Sequence, residues 1–243
     1  MKNRKLLWSC LAVTLAITSA NAHGIWFAQR SGEMAFIYGE GAEDDATVTH
    51  LDKIRGIAAY DASGTAVATR LMPSDHLLLV DLQAKPAVLT GVMDNGFYSE
   101  GANGKWLPKG KSQVPGARQS GHYMKYSVRL LTDTQAPLAA LPDQVLQITP
   151  VTAALPTRKG DTLKLRALYK GQPRAGVQVL ADFVNDPEAK PVLTDKNGLV
   201  TLKIRNQGLN VIFASYEVPA INEDADIVQH AATLSFVTPS AAE

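Results

Sequence analysis

Cysteine is nearly absent from this chain of 243 residues: Cys10 is the single one, and it sits in the first apolar stretch. A disulfide framework, a thiolate zinc site, a cysteine nucleophile and an iron–sulfur cluster are thereby excluded from everything downstream. An excess of either charge is also missing, since 24 Lys+Arg face 23 Asp+Glu. Nucleic acids and acidic membranes select dense Lys/Arg, so no nucleic-acid partner is expected. Long hydrophobic runs are confined to residues 6–20. That run falls short of the about 20 residues a membrane span needs, so the chain is not expected to be membrane-integral. No Gly-x-Ser-x-Gly, Ser-x-x-Lys, phosphate-cradling glycine loop or His-Glu-x-x-His occurs, and the common hydrolase, phosphoryl-transfer and zincin motifs are therefore missing.

The N-terminus has the form of an export signal. Lys2, Arg4 and Lys5 precede the uncharged run, and Ala20-Asn21-Ala22 offers small residues at the cleavage positions. Cleavage after Ala22 leaves 21 basic and 23 acidic residues in an exported, periplasmic product. Lipidation at Cys10 is not expected, because Trp8 stands where a small residue is needed.

Beyond the leader, short apolar or alternating runs are separated by Gly, Asn, Asp and Pro. The runs at 25–28, 34–38, 56–60, 76–80, 88–93, 123–131 and 145–151 read as strands, and 45–53 is the best candidate for a helical turn. In the second half, 163–169, 177–183, 199–204, 208–215 and 232–237 recur at roughly ten-residue spacing, which suggests an immunoglobulin-like sandwich. The fold class is therefore all-β. Two β-sandwich-like domains are expected, 23–152 and 153–243, joined near the Pro-containing stretch 153–159.

The residue with the most chemistry is His23, which cleavage after Ala22 makes the first of the mature chain. A free α-amine and the imidazole of the same residue can chelate one late transition metal ion. The ordinary pKa of such an amine is near 8, so a metal displaces its proton at modest cost. Cleavage after Ala20 would instead place His23 third, where amine, two amides and imidazole form a square-planar Cu(II) or Ni(II) site. Either way the ligands would be nitrogen donors. His50, His76, His122 and His230 form no local pair, so any larger site must be assembled across the fold. His122 follows a Gly-rich loop at a strand start, and His230 precedes the last strand; both also read as ordinary solvated histidines. His76, beside an apolar run, reads as half-buried. The acidic run at 40–45, beginning with Glu40, offers carboxylate ligands or simply a solvated turn. Trp26, Phe97, Tyr98 and Trp106 could stack a sugar, though in a sandwich such residues are usually core.

Taken together, His23-Gly24-Ile25-Trp26, IYGEGAED at 37–44, VPGARQSGHYMKYSV at 114–128, KGDTLKLRALYKGQPRAGVQVL at 159–180, TDKNGLVTL at 194–202, NQGLNVI at 206–212 and HAATLSF at 230–236 resemble the family called domain of unknown function 4198. The resemblance implies an exported β protein acting as a periplasmic component of nickel or cobalt uptake. The metal ion and an inner- or outer-membrane metal transporter would then be its partners. By the same resemblance His23 and His230 match recurrent histidines, while Glu40 stands where a Gly-His pair is frequent. The expected activity is binding or delivery of a divalent transition metal (Ni, Co or Cu) without catalysis. His23 would be the primary ligand and His230, His122 and Glu40 the completing ones. A protein- or carbohydrate-interaction module and a copper histidine-brace oxidative enzyme are the alternatives.

Overall fold

The structure, a computed structural model, describes residues 23–45, 47–133 and 138–239. The leader and Cys10 lie outside them. In chain order the first strands are β1 (Gly24–Arg30), β2 (Glu33–Glu40), β3 (Glu43–Asp45), β4 (Ile54–Tyr60), β5 (Ala66–Val67), β6 (Thr69–Ser74), β7 (Leu77–Leu82), β8 (Val88–Glu100), β9 (Trp106–Leu107) and β10 (Gln119–Leu130). They are followed by β11 (Leu146–Pro150), β12 (Thr162–Tyr169), β13 (Gln172–Pro173), β14 (Gln178–Leu180), β15 (Val192–Leu193), β16 (Leu199–Lys203), β17 (Gly208–Pro219) and β18 (Ile227–Thr238). A 3-10 turn at Thr47–Lys53 occupies the expected helical position. No helix among the described residues is long and apolar enough to cross a membrane.

The all-β class follows from these elements, which form three sheets. The largest has the order β15-β14-β17-β18-β10-β8-β4-β5, with β9 on β8. β1, β2, β7 and β6 form a second sheet with β3 attached, and β11, β12, β13 and β16 a third. The junction expected near 153–159 lies between β11 and β12, yet the large sheet crosses it. β10 pairs in parallel with β18 from Gly121↔Ile227 to Arg129↔Ser235. Residues 23–152 and 153–243 thus share a sheet.

β10 explains how the layers stack. Its side chains alternate with period two. Met124, Tyr126, Val128 and Leu130 enter the core shared with β11, β12 and β16, together with Ile148, Leu165 and Leu234. Lys125, Ser127 and Arg129 face the other way, toward β1, and all three are buried. β1 stands edge-on against this second face. The Lys125 ammonium donates to the His23 carbonyl, Thr233 donates to that of Ile25 (2.6 Å) and Ser235 to that of Phe27 (3.3 Å). An edge that would otherwise present unpaired backbone groups is sealed by side chains. Apolar packing flanks it on both sides: Ile25 and Phe27 join Phe36, Leu89 and Met93, while Trp26 and Ala28 join Ile37, Phe183 and Phe213. Gly91 is required here, because a Cβ would lie 2.5 Å from the Phe36 ring. The two-residue turn Ser31-Gly32 returns β1 into β2 with φ of 51° and 87°, the left-handed pair of a tight hairpin.

Candidate metal site

The hairpin register decides what His23 meets. Gly24 pairs with Gly39, so His23, one residue earlier, comes opposite Glu40. Its Nδ1 lies 3.9 Å from Glu40 Oε2, with the two side chains 33% and 21% exposed. The imidazole stacks on Tyr38, ring centres 5.1 Å apart and 24° from parallel. Burial raises the Glu40 carboxyl above its ordinary range; His23 and Lys125 act against this, and the nearby carboxylates of Glu188 and Glu43 add to it. Glu188 comes from the far half of the chain. The 184–190 segment reaches the site where Gly41, at φ 61°, turns the backbone against Pro187 and Val184.

Behind His23 lies a polar floor. His50, from the 3-10 turn, meets the Tyr38 ring edge-on at 4.9 Å, and Thr47 Oγ1 accepts the Tyr38 N–H at 3.0 Å. The Tyr38 hydroxyl reaches Asn95 Oδ1 at 3.4 Å, and Lys53 donates to the same oxygen (3.0 Å) and to the Tyr98 hydroxyl (3.2 Å). Asn95 is available because the pairing of β8 with β10 slips by one residue between Tyr123 and Met124, leaving it as the extra residue of a bulge. Lys125 lies 5.8 Å from the centre of the Tyr38 ring. Burial, reinforced by Lys53, pushes its amine down to about 7.

The four residues expected to form one metal site divide into two pairs. His23 and Glu40 meet on the β1 side of the large sheet. His122 and His230 face its other side, because His122 is separated from Lys125 by an odd number of strand positions and His230 from Thr233 likewise. His122 donates from Nε2 to Asp94 Oδ1 (2.7 Å) and stacks on Phe97 at 4.3 Å. Burial acts to raise the Asp94 carboxyl, but hydrogen bonds from His122, Arg55 and the Gly96 N–H outweigh it and leave it lowered. His230 lies within β18 rather than before it. It is buried, with Nδ1 3.1 Å from the Tyr126 hydroxyl and its ring against Tyr169. Burial, then Lys170 and His122, push its imidazole down to about 4.

Two lesser expectations also change. His76 is exposed, in the turn before β7, and pairs with Asp75 at 2.9 Å. Trp26 is buried and takes no part in a stacking surface for sugars. Sequence reasoning missed Tyr38, Lys125 and Glu188, and named His50 only as one of the histidines without a local partner. For Lys125 the available signal was the alternation of Tyr123, Lys125, Ser127 and Arg129, which reads as a solvated face until β1 is known to cover it.

Among the described residues, no three His, Cys, Asp or Glu side chains converge on a point that could hold a metal ion. A terminal amine on His23 would be a donor of another kind. It forms a six-membered chelate with Nδ1, the ring nitrogen directed at Glu40. Two ligands about 2.1 Å from one ion stand roughly 3.0–3.4 Å apart at right-angled to tetrahedral geometry. The observed 3.9 Å therefore needs only a small closing movement.

Residues 20–218 match the model of a family described as a domain of unknown function, DUF4198. A protein of Haemophilus influenzae (strain ATCC 51907 / DSM 11121 / KW20 / Rd), itself described only as uncharacterized, is 24% identical over 221 residues, covering 87% of this chain and 88% of its own. No solved structure matches the chain.

Proposed function

The chain belongs to the family of domain of unknown function 4198, and from that premise we propose that it captures a divalent late transition metal ion, nickel, cobalt or copper, in the periplasm for delivery to a membrane transporter. The observation that carries this reading is the His23 imidazole turned toward the Glu40 carboxylate on a strand whose edge is fixed to the large sheet. Cleavage after Ala22 would add the amine, making three donors from two residues. Preorganisation matters because a terminal histidine on a mobile tail would spend its binding energy on ordering.

Electrostatics supports a cation as cargo. Burial and the carboxylates of Glu188 and Glu43 disfavour the charged form of Glu40, and a dication beside it relieves that penalty. Lys125 acts in the opposite sense, so the affinity expected is that of a carrier which releases its ion rather than a permanent metal centre. Metal arriving at amine and imidazole displaces protons, so capture weakens in acid.

Calorimetry of the mature protein with Ni(II), Co(II) and Cu(II) tests the proposal. A single saturable site is expected, lost in His23→Ala. No site tighter than that of an unfolded peptide beginning His-Gly-Ile-Trp would sink the reading. His50, packed on the same Tyr38 ring, favours one second reading, a copper histidine brace with oxidative activity. Copper-dependent oxygen consumption with a reductant, abolished in both His23→Ala and His50→Ala, would replace the carrier by an enzyme.

A further inference from the structure

The far half of the chain reaches the candidate site through a turn that is fixed on both sides. Phe183 is buried and stacked on Phe213 (4.5 Å), and its N–H donates to the Val211 carbonyl at 2.9 Å. The Asp186 N–H donates to the Asp182 carbonyl (3.2 Å), Arg205 pairs with the Asp186 carboxylate (3.0 Å), and the Ala189 N–H closes back on the Asp186 carbonyl (3.2 Å). Pro187 and Glu188 are therefore the central residues of a hydrogen-bonded turn, and proline suits the first of those positions because its φ is already set. A Cβ at Gly41 would stand 3.4 Å from Pro187 Cγ, so this turn packs on the residue that follows Glu40.

Glu188 gains nothing from the fold in return. It is exposed and makes no hydrogen bond or ion pair among the described residues. Of the like charges around Glu40 it acts the most strongly, ahead of Glu43 in the same hairpin. An anchored turn thus holds one carboxylate near another, which disfavours the empty site and favours it once a cation arrives. Because no three His, Asp or Glu side chains converge among the described residues, Glu188 stands outside the ligand shell. Coulomb attraction is proportional to the charge of the ion, so a fixed carboxylate strengthens the binding of a dication by the square of the factor it gives a monocation. We propose that Glu188 selects divalent over monovalent ions at the His23–Glu40 site, attracting the ion through space from the other half of the chain without ligating it. This role rests on the reading of His23 and Glu40 as a capture site.

The test titrates metal-free mature protein with Ni(II) and with Ag(I), in about 10 mM and in about 1 M salt, between which the screening length falls from about 30 Å to about 3 Å. In dilute salt Glu188→Gln should weaken Ni(II) binding about 4-fold and Ag(I) binding about 2-fold, and Glu188→Lys, which changes the charge twice as far, should weaken Ni(II) about 16-fold. All three losses should shrink toward none in concentrated salt, while His23→Ala abolishes the wild-type site under both conditions. A structural role for Glu188 would give losses that depend neither on salt nor on the charge of the ion. Unchanged Ni(II) affinity in Glu188→Gln, equal losses for the two ions, or losses that persist in concentrated salt would overturn the role of Glu188 and leave capture at His23 standing. A wild type that holds no ion through His23 would overturn both.

Discussion

At the scale of single residues, His23 and His230 show how one residue type acquires opposite roles. His23 is partly exposed with a carboxylate before it; His230 is enclosed by Tyr126, Tyr169 and β17. If the terminal amine of His23 is a ligand, acetylating it or placing one glycine before it should weaken nickel or copper binding at least about tenfold, or roughly 1.4 kcal/mol. Titration of both forms measures this, and equal affinities would remove the amine from the site. His230 should matter to stability instead. Its imidazole is held at about 4 in the folded state against an ordinary 6.5, so between those values the unfolded chain binds the proton and the folded chain does not. Stability should therefore fall as pH drops from about 6.5 to about 4, by about 3 kcal/mol at the lower end. Urea denaturation across that range, flattened in His230→Phe while metal affinity is unchanged, is the expected result.

Among the secondary-structure elements, the β1–β2 hairpin is the piece on which the candidate site depends. Its hydrophobic alternation buries both faces, since Ile25 and Phe27 belong to one core and Trp26 and Ala28 to another. Its free edge is held by side chains of β10 and β18 rather than by a neighbouring strand. Gly91→Ala should cost about 1–3 kcal/mol, because Phe36 has to give way to the added methyl. Thr233→Val should cost about 1 kcal/mol by orphaning the Ile25 carbonyl. Hydrogen exchange should locate the loss: amides of β1 exchange faster in Thr233→Val, while those of β12 keep their protection. Uniform acceleration everywhere would mean that the hairpin is not a separate unit of stability.

In the molecule as a whole, the large sheet ties the two halves of the chain together. Nine consecutive residue pairs, Gly121↔Ile227 to Arg129↔Ser235, join β10 to β18. Loss of β10 would leave β18 a long unpaired edge with Ala231, Thr233 and Ser235 uncovered. Calorimetry of the mature protein should accordingly show one unfolding transition, and residues 153–243 made alone should aggregate or remain unfolded. Two separate transitions, or a stable isolated fragment, would contradict this. The same sheet decides the fate of the expected metal ligands, for it stands between the His23–Glu40 pair and the His122–His230 pair.

Local patterning was enough to determine the all-β class, most strands and a helical turn near 45–53, because period-two alternation and turn residues depend only on neighbours along the chain. The neighbourhood of His23 and Glu40 was within reach of local reasoning too, since a tight hairpin brings residues on either side of its turn together. Tertiary structure alone decided the parallel pairing of β10 with β18, a contact across 106 residues that no local pattern specifies. It also decided that Lys125 and Arg129 are buried. An alternating strand declares that it has two faces but not what covers each, and here β1 covers the one that carries the charges.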